Sequence, residues 1–313
     1  MYERAGRVYF CLVLGNTSGS TVAWTNRLLS ERAADAFHFA RARTATACEH
    51  CYRSIFNMQA PSAVISYEFP LNERIRTLLR MESLYERVQF FSSMEHALDH
   101  HAALLSLFEI LDVAGRADLK SELMQELERQ KQALSALRSN PQISEEALNS
   151  ILTDIDRAVA DLFQSSGKTG QGLRENEWLM GIKQRVAIPG GVCEFDVPSY
   201  HYWLHQGADI RRTDLSNWLA PFLPMRSGIT IVLRILRESG RSSQQTATQG
   251  VYQQMMGGRV AQLLRLSLND EETCVPEVSA NKYALNIRFT MTGDSQRRLA
   301  QDDIPFELTF CNL

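Results

Sequence analysis

Cysteine is scarce in this chain. The 313 residues hold six, at Cys11, Cys48, Cys51, Cys193, Cys274 and Cys311. So few over such a length points to a reducing cytoplasm and excludes a disulfide scaffold. Cys48 and Cys51 have C-x-x-C spacing, but no second Cys/His pair follows at zinc-finger distance, and neither a zinc nor a redox centre is read from them. There is no uninterrupted apolar run of the about 18 residues that crosses a bilayer. The short run Val8–Leu14 lies at the low limit of a signal-peptide core and lacks a clean small-residue cleavage site. Excess positive charge is missing too. Lys and Arg number 33 against 36 Asp and Glu, a net charge of -3, which argues against a nucleic-acid coat. Gly167–Gly172 reads GKTGQG, without the preceding glycine and strand that a phosphate-cradling loop needs.

What is present changes character along the chain. Residues 1–57 are Ser/Thr/Ala/Arg-rich with little periodicity. They are expected to form a poorly ordered extension, and Met58 is a candidate start because coherent patterning begins after it. Residues 58–187 read as a helical domain, with helices over Ala97–Val113, Asp118–Leu137, Ser144–Phe163 and Leu173–Val186. In the first of these, Leu98, Ala102, Leu105, Phe108 and Leu111 are spaced as a core face. In the second, Leu119, Leu123, Leu127 and Leu134 form the stripe, and Glu126 and Arg129 fall among the solvated charges. Residues 188–313 read as a β-rich domain with inserted helices. Val192–Val197 alternates as a strand. Thr213–Phe222 and Met225–Ser239 read as helices, the latter turning Arg234 and Arg237 outward. Leu264–Leu268, Tyr283–Met291 and Phe306–Phe310 alternate as half-buried antiparallel strands, Gly250–Met255 is a weaker one, and Gly257-Gly258 and Thr292-Gly293-Asp294 are the expected turns. Val64–Phe69 is a candidate extra strand of that sheet. The fold class is therefore α+β.

Tyr67–Val88, YEFPLNERIRTLLRMESLYERV, is the most organised stretch. A short extended piece ends at Pro70, and an amphipathic helix follows. Leu71, Ile75, Leu78, Leu79, Leu84 and Val88 share its inner side. Asn72 or Glu73 serves its start. Arg76 and Arg80 are four apart and stack on one outer face, with Arg87 two turns beyond. By pattern alone this is a solvated face in which Glu73 neighbours both arginines.

Candidate chemistry is thin elsewhere. Cys193, Asp196, His201 and His205 crowd into IPGGVCEFDVPSYHYWLH, which admits a Cys/His nucleophile with Asp196 orienting it. No oxyanion-hole motif accompanies them. His201 and His205 at i, i+4 suit a metal, but no HExxH glutamate or third ligand is evident, so no metal, cofactor or catalytic set is assigned. His100-His101 reads as a partly buried polar pair. What remains is a spread of cations, namely Arg74, Arg76, Arg80, Arg116, Arg234, Arg237, Arg265, Lys282 and Arg288. Gathered into one cleft, they suit an anionic or mixed-charge segment, since the guanidinium fork pairs carboxylates bidentately.

The chain from about Val64 to Leu313 resembles the ZapD family, Z-ring-associated cell division proteins of Gram-negative bacteria. The matching words run in order: YEFPLNERIRTLLRMESL at Tyr67–Leu84, LFEILDVAGRADLKSELMQELERQ at Leu107–Gln130, GQGLRENEWL at Gly170–Leu179, QRVAIPGGVCEFDVPSYHYWLH at Gln184–His205, then LLRLSL, NIRF and FELTFC. The resemblance implies a non-enzymatic, cytoplasmic homodimer at the mid-cell division ring. Such a protein would bind the C-terminal tail of FtsZ and bundle its filaments, with no cofactor, nucleic acid or membrane partner. The family's charged binding surface carries over onto Arg76, Arg80, Arg116, His201 and Arg288. A departure lies just before NIRF, where the family pattern has a basic residue and this chain has Ala284. The competing classes are a cytosolic Cys/His hydrolase and a nucleic-acid-binding module.

Overall fold

A computed structural model describes residues 64–313 apart from 117, 141–143, 166, 259, 270–271 and 293–297. The extension 1–57, the candidate start at Met58, the Cys48/Cys51 pair and the Thr292-Gly293-Asp294 turn lie outside the described residues.

The first strand, β1 (Val64–Pro70), stops at a proline, which has no N–H to extend a ladder. Helix α1 (Glu73–Ser93) follows at once. The Asn72 side chain accepts the Ile75 N–H at 2.8 Å, and Glu73 sits in the first turn, where a carboxylate suits the helix dipole. Ile75, Leu78, Met81, Leu84, Tyr85 and Val88 are buried along one stripe. Helix α2 (Ala97–Ala114) packs beside it. Its buried residues are Ala103, Leu104, Leu107, Phe108, Ile110 and Leu111 among others, while Leu98 is 64% exposed. The expected face through Leu98, Ala102 and Leu105 was thus rotated. This helix is so apolar all round that period alone does not select a face.

Helices α3 (Leu119–Ser135) and α4 (Glu145–Gln164) complete the first group. α3 ends in a 3₁₀ turn (Ala136–Ser139), and α4 is capped by Ser144. Leu173–Val186 is two helices, α5 (Gln171–Arg174) and α6 (Glu177–Val186), because Asn176 leaves the helix to cap the second. Val192–Val197 is not a strand. Its backbone bonds close locally, Gly191 N–H to Ile188 O, Asp196 N–H to Cys193 O and Val197 N–H to Cys193 O, and no neighbouring strand pairs with it. Gly190, at φ 73°, makes the first of these turns. Then come α7 (Pro198–Leu204), α8 (Ala208–Leu219), a 3₁₀ turn (Ala220–Phe222) and α9 (Leu223–Glu238). The stretch Ala208–Glu238 is long and apolar enough to cross a membrane by composition. Here Leu215, Phe222, Met225, Ile229, Val232, Leu233 and Leu236 are buried in the helical core. A Cβ at Gly228 would lie 3.1 Å from Leu123 and 3.3 Å from both Leu127 and Leu162, so this glycine lets α9 approach α3 and α4 closely.

The remaining strands are β2 (Arg241–Ala247), β3 (Val251–Met255), β4 (Leu263–Asn269), β5 (Cys274–Ala280), β6 (Ala284–Met291) and β7 (Ile304–Cys311). They form two antiparallel sheets, ordered β1-β4-β7-β2 and β3-β6-β5. The chain is thus α+β as expected, and the candidate strand at the start does join the C-terminal sheet. β2 and β5 carry no alternating signal. RSSQQTA is nearly all polar and CVPEVSA contains Pro276, and both are edge strands, where such residues are tolerated.

Two apolar cores result. One fills the helices and takes in Leu263 and Cys311 from the larger sheet. The other lies between the sheets and includes Leu264, Leu266, Leu268, Leu285, Ile287, Phe289, Phe306 and Leu308. Period-two alternation sends Leu263 to one side of β4 and Leu264 to the other. Ser62–Leu313 form one compact unit.

Ionic groups join the helices to the larger sheet. Arg237 of α9 donates to Glu68 of β1 through Nε and Nη2 at 2.8 Å each. It also donates to Glu82 of α1 through Nη1 at 2.9 Å and Nη2 at 2.6 Å. Arg265 of β4 brings Nε to 3.3 Å from Glu68. Arg237 therefore does not point to solvent. Its charge is matched by two carboxylates whose side chains are each 21% exposed, and these hold its guanidinium well above the usual range. Nor is Glu126 solvated. Its side chain is 1% exposed and lies 3.1 Å from Arg74 and 2.6 Å from Arg129. Gln262, just before β4, donates to it at 3.4 Å, and Arg129 also binds the Leu313 carbonyl. Burial alone would raise the Glu126 pKa. The hydrogen bonds from Arg129, Gln262 and Arg74, with the Arg129 charge, outweigh it and hold the carboxyl below its usual range.

Removing Arg237 leaves two half-buried carboxylates facing each other. Arg237→Met is expected to lower unfolding stability by about 2–3 kcal/mol, read from urea curves. A change within about 0.5 kcal/mol, the range of ordinary surface substitutions, would mean the Arg237 bridge does not hold the junction. The Glu126 shift has a definite sign. A depressed folded pKa gives stability that is fully present above the unfolded value of about 4.3 and is lost as pH falls through the folded value. The urea midpoint of the wild-type chain should therefore fall more steeply below about pH 4.3 than that of Glu126→Gln. Parallel curves would contradict this assignment.

Candidate functional site: an arginine-lined groove on α1

The outer face of α1 carries the basic stripe. Arg76 Nε lies 3.1 Å from a Glu73 carboxylate oxygen. Its Nη2 donates to the Pro70 carbonyl at 3.4 Å, and its guanidinium carbon stands 5.9 Å from the Phe69 ring centre. Arg80 lies 3.9 Å from Glu73 and is 62% exposed. Exposed pairs of this kind contribute little to stability, so both guanidiniums can exchange Glu73 for another carboxylate at small cost.

Beside this stripe runs a groove of about 440 Å³. Arg76, Arg80 and Arg87 line it from α1, Glu109 and Val113 from α2, and Glu68 and Pro70 from β1, with Leu79 and Leu84 supplying apolar surface. The groove thus combines cations with an apolar lining on two packed helices, a surface suited to a short chain carrying acidic and apolar side chains.

The other expected residues lie elsewhere. Arg116 is exposed just past α2, its N–H bonded to the carbonyl of the groove residue Val113 at 3.2 Å. Arg288 is exposed on β6, in register between Val251 and Glu277. His201 of α7 is half-exposed, with Nε2 3.6 Å from Glu194. None of the three lines the groove with Arg76 and Arg80. Glu109 and Val113 were not legible as site residues, because on an apolar helix nothing distinguishes them from other flanking positions. Arg87 was legible only as a continuation of the α1 stripe.

The Cys/His segment does not assemble a nucleophile. Cys193 is exposed. Asp196 lies 3.8 Å from Arg185, His201 faces Glu194, and His205 Nδ1 donates to the His201 carbonyl at 2.8 Å. The His201 and His205 rings are 4.3 Å apart. Among the described residues no group of three His, Cys, Asp or Glu is placed to hold a metal ion. The segment instead anchors an aromatic cluster. Tyr200 stacks on Trp203 at 5.7 Å, and Trp178 and Trp218 close around Trp203. Trp203 Nε1 donates to Asp214 at 2.9 Å. His100 is also structural. Its Nδ1 accepts from Arg211 Nε at 2.7 Å, so its Nε2 carries the proton and donates to Met94 O at 2.9 Å. Burial and the nearby Arg211 and Arg212 charges depress its pKa against that Met94 bond.

The comparisons with known proteins agree on one family. The ZapD family model, described as a cell division protein, matches residues 79–288. That range takes in Arg80, Arg116, His201 and Arg288 and begins three residues after Arg76. The cell division protein ZapD of Aromatoleum aromaticum is 59% identical over 251 residues, covering 80% of this chain and 98% of that relative. The ZapD of Dechloromonas aromatica is 57% identical over 252 residues, covering 80% of this chain and 100% of its own. The ZapD of Cupriavidus necator is 53% identical over 251 residues, again covering 80% and 100%. Four-fifths of this chain thus matches these relatives nearly end to end, and the chain belongs to the ZapD family of cell division proteins.

Proposed function

We propose that this cell division protein is a non-enzymatic cross-linker that binds the C-terminal tail of FtsZ in the α1 groove. As a homodimer it joins two filaments and acts in the cytoplasm at the mid-cell ring. The observation that carries this reading is the groove itself, with Arg76, Arg80 and Arg87 around Leu79, Leu84 and Val113 on two packed helices. A flexible tail with acidic and apolar residues complements it. Salt should weaken binding, because the cations are exposed and screened. Each contact can be weak, since a polymer displays many tails and a dimer engages two at once. The family relationship supports the division role, and the exposure of Cys193 with the separate partners of Asp196 and His201 gives a hydrolase no support. The net charge of -3 weighs against a nucleic-acid module.

Co-sedimentation with polymerised FtsZ tests this reading. Wild-type chain should pellet with full-length FtsZ and bundle it, and should not pellet with FtsZ lacking its tail. Arg76→Glu with Arg80→Glu should lower tail affinity by at least about tenfold and abolish bundling, while circular dichroism melts stay near wild type because Arg80 is exposed, Arg76 is half-exposed and neither side chain enters the core. Equal pelleting with tailless FtsZ would refute the proposed mode.

A further inference from the structure

Five charged residues line the α1 groove, and they are not equally engaged. Glu68 is held by Arg237 and Arg265. Arg76 and Arg80 share Glu73. Arg87 on one helix and Glu109 on the other are both exposed and form no ion pair among the described residues. A tail held only by Arg76 and Arg80 would need a single cationic patch. This groove adds a cation two helical turns beyond Arg80, about 10 Å along the axis, and an anion on the opposite helix.

Resting on the reading of the groove as the tail site, we infer that Arg87 and Glu109 determine specificity and that the ligand is a segment of both charges. An acidic side chain reaches Arg87, and a basic side chain reaches Glu109. Apolar residues between them lie against Leu84 and Val113. In an extended segment about three residues span the distance from Arg80 to Arg87, so the acidic contacts of these two arginines are about three positions apart. A purely acidic peptide of equal length binds more weakly, because Glu109 repels it.

The test is a charge-swap matrix read by fluorescence anisotropy at low salt. The probe is a labelled peptide of the FtsZ C-terminal tail, together with variants in which single acidic residues become Lys or single basic residues become Glu. Arg87→Glu and Glu109→Lys should each weaken wild-type peptide about threefold to tenfold. Arg87→Glu should recover affinity for one acidic-to-Lys peptide, and Glu109→Lys for one basic-to-Glu peptide. Both substitutions are at exposed positions, and thermal melts confirm the fold. If Arg76→Glu with Arg80→Glu removes binding but the two swaps neither weaken nor rescue it, this inference fails and the tail site stands. If the Arg76/Arg80 variant binds peptide normally, the groove reading fails first. If Arg87→Glu instead lowers the dimer fraction by analytical ultracentrifugation with peptide affinity unchanged, the groove is a contact between copies and the inference is overturned.

Discussion

One guanidinium between two carboxylates fixes how the halves of this molecule meet. Arg237 comes from the last helix, Glu82 from the first and Glu68 from the strand just before it. Only Leu71 and Asn72 separate the strand from the first helix along the chain, so the angle between them depends on the side chains that bind both. Bidentate pairing suits this role because it constrains direction as well as distance. Glu68 and Pro70 on the strand are also groove residues, as are Arg76 and Arg80 on the helix. The ionic junction and the site therefore share a wall. Glu126 repeats the device on α3, where it gathers Arg74 of α1, Arg129 and Gln262.

The first helix does two jobs with one periodicity. Its inner stripe, from Ile75 to Val88, fills the helical core, and its outer stripe presents Arg76, Arg80 and Arg87. A helix buried on one side holds those cations in fixed spacing, which lowers the entropy lost on binding compared with cations on a loop. On the proposed reading, the long side chains exchange Glu73 for the ligand's carboxylate, helix geometry supplies the specificity and the many tails of a filament supply the strength.

Much of this was legible in the chain itself. Strand and helix periods marked α1, the outline of α3 and α4, and the alternating strands β4, β6 and β7, since each buries mainly one face along most of its length. The cap at Asn72 and the turn at Gly257-Gly258 followed from local chemistry. The failures have distinct physical causes. Leu98 was placed inside because apolar residues dominate α2 and recur at too many positions for spacing to select one face. Glu126 and Arg237 were placed outside because a charge within a polar stripe looks solvated until a partner arrives from a distant element. β2 and β5 were missed because edge strands need no alternation. Arg76 and Arg80 come together because they are one helical turn apart. Arg116, His201 and Arg288 sit on other elements, and no local pattern reports how those elements pack around the groove.

Photo-cross-linking tests the central claim most directly. A photoreactive residue in place of Ser83, which lines the groove, is irradiated in the presence of FtsZ filaments and the adduct is mapped by mass spectrometry. The groove account predicts a cross-link confined to the C-terminal tail of FtsZ and lost when the tail is removed. A cross-link to the globular body of FtsZ, or none from Ser83 while a probe beside Arg288 captures the tail, would contradict it.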